Sequence, residues 1–336
     1  MKQSLAVKYR PRTFDDLTEQ STIKDILCNQ IETETFQHAY LFTGPAGTGK
    51  TTSARIFASM INGEKSDVIE IDAASNSGVE NVRGIIEDSK KRSIISTYKV
   101  FIIDECHSLS NEAWQAMLKL LEEPPKFSIF ILCTTDPQKI PATIMSRVQR
   151  YQFNKISVDG IKKRLLHILE AEFPTGGYQY DTDAISYIAK LSNGGMRDAI
   201  TLMDKCLSLG NHLTLEDVLN VVGTASYDTF FDLLKKLSDK DKSCTDFLDE
   251  AFNAGKDIKI FMKEFSKFVL DVEKFCINPK FEYITIPSTY ESTLGYFSDV
   301  TDVLELVFNI NNNIKWDSDP KTLAEMMMIL FCGDER

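Results

Sequence analysis

The sequence is poor in several things that would have decided its class at once. Its seven cysteines (Cys28, Cys106, Cys133, Cys206, Cys244, Cys276, Cys332) are odd in number and far apart, so no CxxC pair exists and neither a zinc ribbon nor a secreted disulfide framework is expected. They read as reduced, mostly structural thiols. No run approaches the roughly 20 apolar residues that a bilayer span needs, and the opening MKQSLAVKYRPRTF lacks the apolar centre of a secretion signal. A cytoplasmic chain without membrane contact is the expectation. Positive charge is also short, 38 Lys+Arg against 49 Asp+Glu for a net of -11, which argues against a protein that coats nucleic acid through its cations. The deficit is uneven: up to Lys155 there are 19 cations against 19 anions, and from Ile156 onward 19 against 30. Any nucleic-acid surface therefore belongs to the first part.

What is present is an ordinary globular composition, 43% hydrophobic and 26% charged over 336 residues, a length that suits two or three domains. The first half alternates helical patterns with short β-branched or aromatic runs: AYLFT (39–43), VIEI (68–71), KVFIID (99–104) and IFILC (129–133). Such runs suit strands buried on both faces, which predicts a parallel α/β sheet. After RYQF (150–153) no convincing strand run follows, and apolar residues recur at helical spacing, as in Ile161, Leu165, Leu166 and Leu169, so the remainder is expected to be all helix. A break at Gly223 divides it, and TFFDLLKKL, IFMKEFSKFVLDVEKF and TLAEMMMILF carry helix signals beyond. Three domains are expected: 1–155, 156–223 and 224–336. The Asn-rich NINNNIKW (309–316) reads as a turn. The run Met326, Met327, Met328 reads as core packing within a helical stripe.

The chemistry is concentrated at three strand ends. Directly after AYLFT stands GPAGTGKT, in which Gly44, Gly49, Lys50 and Thr51 fill the spacing G-x-x-x-x-G-K-[ST] of a P-loop. The glycines let backbone N–H groups close on phosphate oxygens, Lys50 adds charge, Thr51 offers a hydroxyl to Mg²⁺, and the following helix aims its positive end at the anion. Asp104 and Glu105 end the third strand, at the sheet edge where ligands of such sheets bind. Asp104 suits the magnesium shell and Glu105 suits a group that orients an attacking water. His107 fits a hydrogen-bonded surface role as well as a catalytic one. Thr134 and Thr135 fit two roles equally, a reader of phosphate and a strand-end cap. Arg147 and Arg197 are either surface cations or the positive charge that phosphoryl transfer requires, which a neighbouring subunit can supply.

These residues carry a resemblance. The stretches KYRPRTFDDL, HAYLFTGPAGTGKTTSARIFA, EIDAASNSGVENVR, KVFIIDECHSLSNEAWQAMLKLLEEPP, TTDPQKIPATIMSR and GGMRDAITLMDKC resemble the ATPase subunits of DNA-polymerase clamp loaders in the AAA+ superfamily, most closely the gamma/tau type of bacterial DNA polymerase III. The match runs from about Val7 to Gly223 and is weaker beyond. It implies an AAA+ P-loop domain (1–155), a small helical lid (156–223) and an all-α collar (224–336). It implies ATP hydrolysis coupled to opening a sliding clamp and placing it on primer–template DNA, within a five-subunit spiral. By position, Tyr9, Arg10 and Pro11 border the adenine pocket, while Gly44, Pro45, Ala46, Gly47, Thr48, Gly49, Lys50, Thr51 and Thr52 bind the phosphates. Thr135 is the first sensor, Arg197 the second, and Arg147 the finger that completes the adjacent subunit's site. Asn76, Arg83, Lys90, Lys91 and Arg92 are candidate DNA-backbone contacts.

The sequence departs from that family at four places. The bacterial subunits carry a four-cysteine zinc module between the P-loop helix and the second strand; here the space holds only NGEKSD, so ATP and Mg²⁺ are the expected cofactors and zinc is not. The family's Ser-Arg-Cys reads Ser146, Arg147, Val148. Glu19 stands where a glycine usually precedes the glutamine, on the adenine side. The long tau-type extension is not expected after Arg336. Two alternatives share parts of the pattern: an AAA+ branch-migration motor on duplex DNA, and a non-hydrolysing structural loader subunit, which typically loses the P-loop lysine or the acidic pair.

Overall fold

Every apolar run of the first half is a strand. The computed structural model describes residues 3–63, 67–174, 178–210, 212–223 and 225–333. Residues 64–66, in the NGEKSD linker, and Thr224, at the expected second domain boundary, lie outside the described residues. Two compact units are found, Met1–Ile168 with Ser192–Thr201, and Leu169–Leu191 with Leu202–Arg336.

The first unit runs α1 (Leu5–Lys8), α2 (Ser21–Glu32), β1 (Ala39–Thr43), α3 (Lys50–Asn62), β2 (Asp67–Asp72), α4 (Val79–Ser89), β3 (Lys99–Asp104), α5 (Asn111–Glu122), β4 (Ser128–Thr134), α6 (Ala142–Met145), β5 (Gln149–Gln152) and the start of α7 (Val158–Glu172). The five strands are all parallel in the order β2-β3-β4-β1-β5. Alternate side chains of β1, β3 and β4 enter two separate cores, as the period of a strand requires. Leu41, Phe101, Ile103, Phe130 and Leu132 pack with Val82 and Ile85 of α4 and with Trp114 and Met117 of α5. Tyr40, Phe42, Val100, Ile102, Ile129 and Ile131 pack with Leu27 of α2 and Phe57 of α3 on the other face. The edge strands β2 and β5 are only partly covered, which is where the polar residues of VIEI and RYQF sit. Helix starts follow their caps: Ser110 Oγ accepts the Ala113 N–H at 3.2 Å at the head of α5.

The second unit contains α8 (Thr182–Leu191), the end of α9 (Met196–Cys206), α10 (Leu215–Val222), α11 (Tyr227–Ser238), α12 (Asp246–Asn253), α13 (Ile258–Ile277), α14 (Glu291–Leu294), α15 (Thr301–Ile314) and α16 (Pro320–Gly333). Gly223, at φ 78, ends α10 in the left-handed cap that glycine favours. Phe230 of α11 meets Phe261, Phe265 and Phe268 of α13 at 5.4, 5.4 and 5.5 Å between ring centroids.

Three expectations are corrected here. The tail half is not wholly helical, because β6 (Gln179–Tyr180) pairs in parallel with β7 (His212–Leu213); two-residue strands carry no alternation to read. The segment NINNNIKW is not a turn as far as Ile314, since α15 runs through it. Leu306, Val307, Ile310 and Ile314 keep helical spacing and are buried, and the Asn311 side chain donates to the carbonyls of Val307 (2.9 Å) and Met262 (3.2 Å) and to Ser266 Oγ, so it does not compete with the helix. Of the methionine run only Met328 is core; Met326 is 57% exposed.

Phe101 and Phe130 are opposite one another in the β3–β4 ladder and stack at 5.2 Å. Phe130→Ala is expected to cost about 3–5 kcal/mol through the cavity it leaves. A lowered urea midpoint in the fluorescence of buried Trp114 checks this.

Candidate functional site

Because the strands are parallel, β1, β3 and β4 deliver Gly44, Asp104 and Thr134 to one edge of the sheet. Between β1 and α3 the chain turns through Gly44 (φ 144), Gly47 (φ 72) and Gly49 (φ 101). Two of these glycines also permit close approach. A Cβ on Gly44 would lie 2.3 Å from the carbonyl oxygen of Phe153, and one on Gly47 would lie 2.9 Å from Cα of Gly195. The Met196 N–H donates to the Gly47 carbonyl at 3.0 Å, so the loop holds the segment that opens α9 and carries Arg197. Gly49, preceding α3, has no side chain to cap the helix, which leaves its first N–H groups open to an anion.

Lys50 Nζ donates to the Gly44 and Pro45 carbonyls at 2.9 and 2.8 Å. Burial lowers its pKa, and Glu105 and Asp104 oppose that shift. Thr51 Oγ1 donates to Asp104 Oδ2 at 2.8 Å. A hydroxyl and a carboxylate that could share a divalent cation are thus in contact. Glu105 holds left-handed backbone at φ 45, a conformation that costs a non-glycine residue about 1–2 kcal/mol. Its carboxylate accepts from Thr135 Oγ1 at 3.0 Å and lies 3.3 Å from His107 Nδ1. That ring nitrogen is 3.0 Å from Thr134 Oγ1, which also accepts the Asp136 N–H. The two threonines therefore differ: Thr134 braces its own loop and His107, and Thr135 holds Glu105.

A cavity of about 500 Å³ opens over these groups, a size suited to a nucleotide-like ligand. Its lining includes Tyr9, Arg10 and Pro11, residues Ala46 to Thr52, Asp104, Glu105 and Arg197. Gly44, Pro45 and Thr135 are not in this lining; Gly44 and Pro45 hold Lys50 through their carbonyls, and Thr135 holds Glu105 through its hydroxyl. Burial lowers the pKa of Arg10, Arg55 and Arg197 lower it further, and Glu70 and Asp104 oppose the shift. Sequence reasoning missed Leu17, Thr18, Ile156, Arg164, Met196 and Ile200 in this lining. Arg164 donates to the Tyr9 carbonyl at 3.0 Å; its spacing within an amphipathic helix gave no hint of that role.

The remaining candidates lie outside the cavity. Arg147 Nη2 pairs with Glu122 at 2.7 Å and its Nη1 donates to the Thr143 carbonyl and Ser146 Oγ at 2.6 and 3.0 Å. Asn76 Nδ2 donates to the Asp72 carbonyl. Arg83 and Lys91 are exposed and paired with Glu80 and Asp88, and Lys90 and Arg92 are exposed nearby.

Gly44→Ala is expected to destabilise the first unit by about 1–3 kcal/mol, since it adds backbone strain and forces a clash with a main-chain oxygen. A fall in the thermal midpoint checks it.

Two family profiles match. One described as "DNA polymerase III, delta subunit" covers residues 19–77 and 61–157, and one described as "DNA polymerase III clamp loader subunit, ATPase lid domain" covers residues 160–212. The Bacillus subtilis protein "DNA polymerase III subunit tau" is 36% identical over 98% of this chain, which spans 63% of that relative's length. "DNA polymerase III subunit gamma" of Buchnera aphidicola is 34% identical over 83% of this chain and 82% of its own length. Among solved structures, "Thermotoga maritima RuvB Holliday junction branch migration motor" superposes with a TM-score of 0.51 at 20% identity, over 68% of this chain and 79% of that one. That likeness is one of fold, and together with the lid-domain profile it marks the AAA+ architecture.

Proposed function

The chain belongs to the clamp-loader family of bacterial DNA polymerase III that includes the gamma and tau subunits, and on that premise we propose that it is an ATP-hydrolysing motor subunit of a sliding-clamp loader. The observation that carries this is the convergence of Lys50, Thr51, Asp104, Glu105 and Arg197 around one cavity at the carboxyl edge of the sheet.

In this reading Tyr9, Arg10 and Pro11 border the base, and the backbone from Gly44 to Thr52 wraps the phosphates. Lys50 exchanges its two carbonyl partners for phosphate oxygens, which restores the charge balance that burial upsets. Thr51 and Asp104 would hold a magnesium ion, which supplies positive charge to the phosphate oxygens. Glu105, released by Thr135, orients the attacking water, so Thr135 couples the state of β4 to the catalytic carboxylate. Arg197 adds cationic charge from the start of α9. Arg147 is the finger for the neighbouring subunit's site, a role consistent with its position outside its own cavity.

The domain scheme follows: an ATPase domain at 1–155, a lid at 156–223 and a collar at 224–336, the lid supported by the profile match over 160–212. The partners are further loader subunits, a sliding clamp and primer–template DNA. Asn76, Arg83, Lys90, Lys91 and Arg92 are the proposed backbone contacts. The exposed i,i+3 pairs of Arg83 and Lys91 are worth little to the fold and exchange readily for phosphate.

Steady-state ATP hydrolysis tests this. Primer–template DNA is expected to stimulate the assembled loader, and the clamp to stimulate it further. Lys50→Ala should abolish nucleotide binding, and Arg147→Ala should leave binding intact while lowering hydrolysis at least about 10³-fold. Equal stimulation by unprimed duplex with no effect of the clamp would instead mark a translocase.

A further inference from the structure

Two consecutive non-glycine residues, Glu19 and Gln20, both hold left-handed backbone at φ 57. Such strain persists only where surrounding contacts impose it, and here the two side chains make those contacts. The Glu19 carboxylate accepts the Ser157 N–H at 3.1 and 3.3 Å through its two oxygens and also accepts the Ser157 hydroxyl. Gln20 Nε2 donates to the Asn154 carbonyl at 2.7 Å and its Oε1 accepts the Asn154 N–H at 3.2 Å. Ser157 in turn begins α7: its Oγ accepts the Gly160 N–H at 3.0 Å and its carbonyl accepts the Ile161 N–H at 3.0 Å. Glu19 thus places a negative charge at the positive end of that helix.

Gly160 gives way to this carboxylate. A Cβ at position 160 would lie 2.3 Å from Glu19 Oε1, so the first turn of α7 accepts a poor helix former and the glutamate fills the space. Both ends of the contact adjoin the cavity, because Thr18 and Ile156, each one residue before a partner, line it. Farther along α7, Arg164 holds the Tyr9 carbonyl from the same side.

We infer that Glu19 is a positioning residue that pins the start of α7 to the adenine side of the cavity and thereby sets how long a nucleotide stays bound. The inference rests on the nucleotide-binding reading above.

The test is the dissociation rate of a fluorescent ATP analogue from the full chain, measured by stopped flow beside the thermal midpoint. Glu19→Gly relieves the left-handed strain and removes the carboxylate. Gly160→Ala improves helix propensity and evicts it. Each is expected to speed dissociation roughly five- to tenfold, the scale of one lost ordinary hydrogen bond, without lowering the thermal midpoint. Gly160→Ala should add nothing in the Glu19→Gly background, and Glu19→Gln, which keeps an acceptor for Ser157, should recover most of the wild-type rate. Unchanged dissociation in both single variants, with normal wild-type binding, overturns this inference alone. Failure of the wild-type chain to bind the analogue overturns the motor reading as well.

Discussion

A parallel sheet covered on both faces must deliver all its strand ends to one edge, and the candidate site depends on that constraint. The order β2-β3-β4-β1-β5 puts β1 beside β4 and β4 beside β3, so a phosphate loop, an acidic pair and a threonine pair from separate parts of the chain end side by side. The two cores hold this edge rigid. Tyr40, Phe42, Phe101 and Phe130 are fully buried, and moving any of these strands would open a cavity in a close-packed interior.

On that rigid edge several groups sit away from their own preferred state. Lys50 is buried on backbone carbonyls, Arg10 has other cations nearby, and Glu105 carries positive φ. In the proposed function, Lys50 and Arg10 are relieved by the same event, arrival of a polyanion with its cation. Strain gathered at one place and backed by a well-packed sheet is how a fold stores a response to a ligand. Glu19 and Gln20 extend the pattern beside the cavity, where their side chains offset the backbone cost by tying down the segment that leads into the helix after the sheet.

The second unit is organised differently. Its core is aromatic, with Phe230, Phe231 and Tyr227 of α11 against Phe268 of α13 at 4.8 to 6.1 Å between centroids. Local pattern was a weaker guide there. Asn311 looked like a turn former and is a helix residue because α13 supplies Ser266 and the Met262 carbonyl as partners. Met326 and Met328 lie two positions apart on α16 and so face different sides: Met328 is buried on the face of Ala324 and Cys332, and Met326 is exposed.

The sequence by itself determined the strands of the α/β sheet and the local chemistry of the P-loop. Both are written in short windows: apolar runs of strand length, and a glycine spacing that suits a phosphate-sized turn. The acidic pair at the end of β3 was legible for the same reason. Tertiary structure alone decided which distant groups meet those windows. Arg164 reaches Tyr9, Thr135 reaches Glu105, Arg147 rests on Glu122, and Glu19 meets Ser157 over the space left by Gly160. Such contacts join residues 25 or more positions apart, and their free energy comes from desolvated hydrogen bonds and close packing that exist only once the chain has folded.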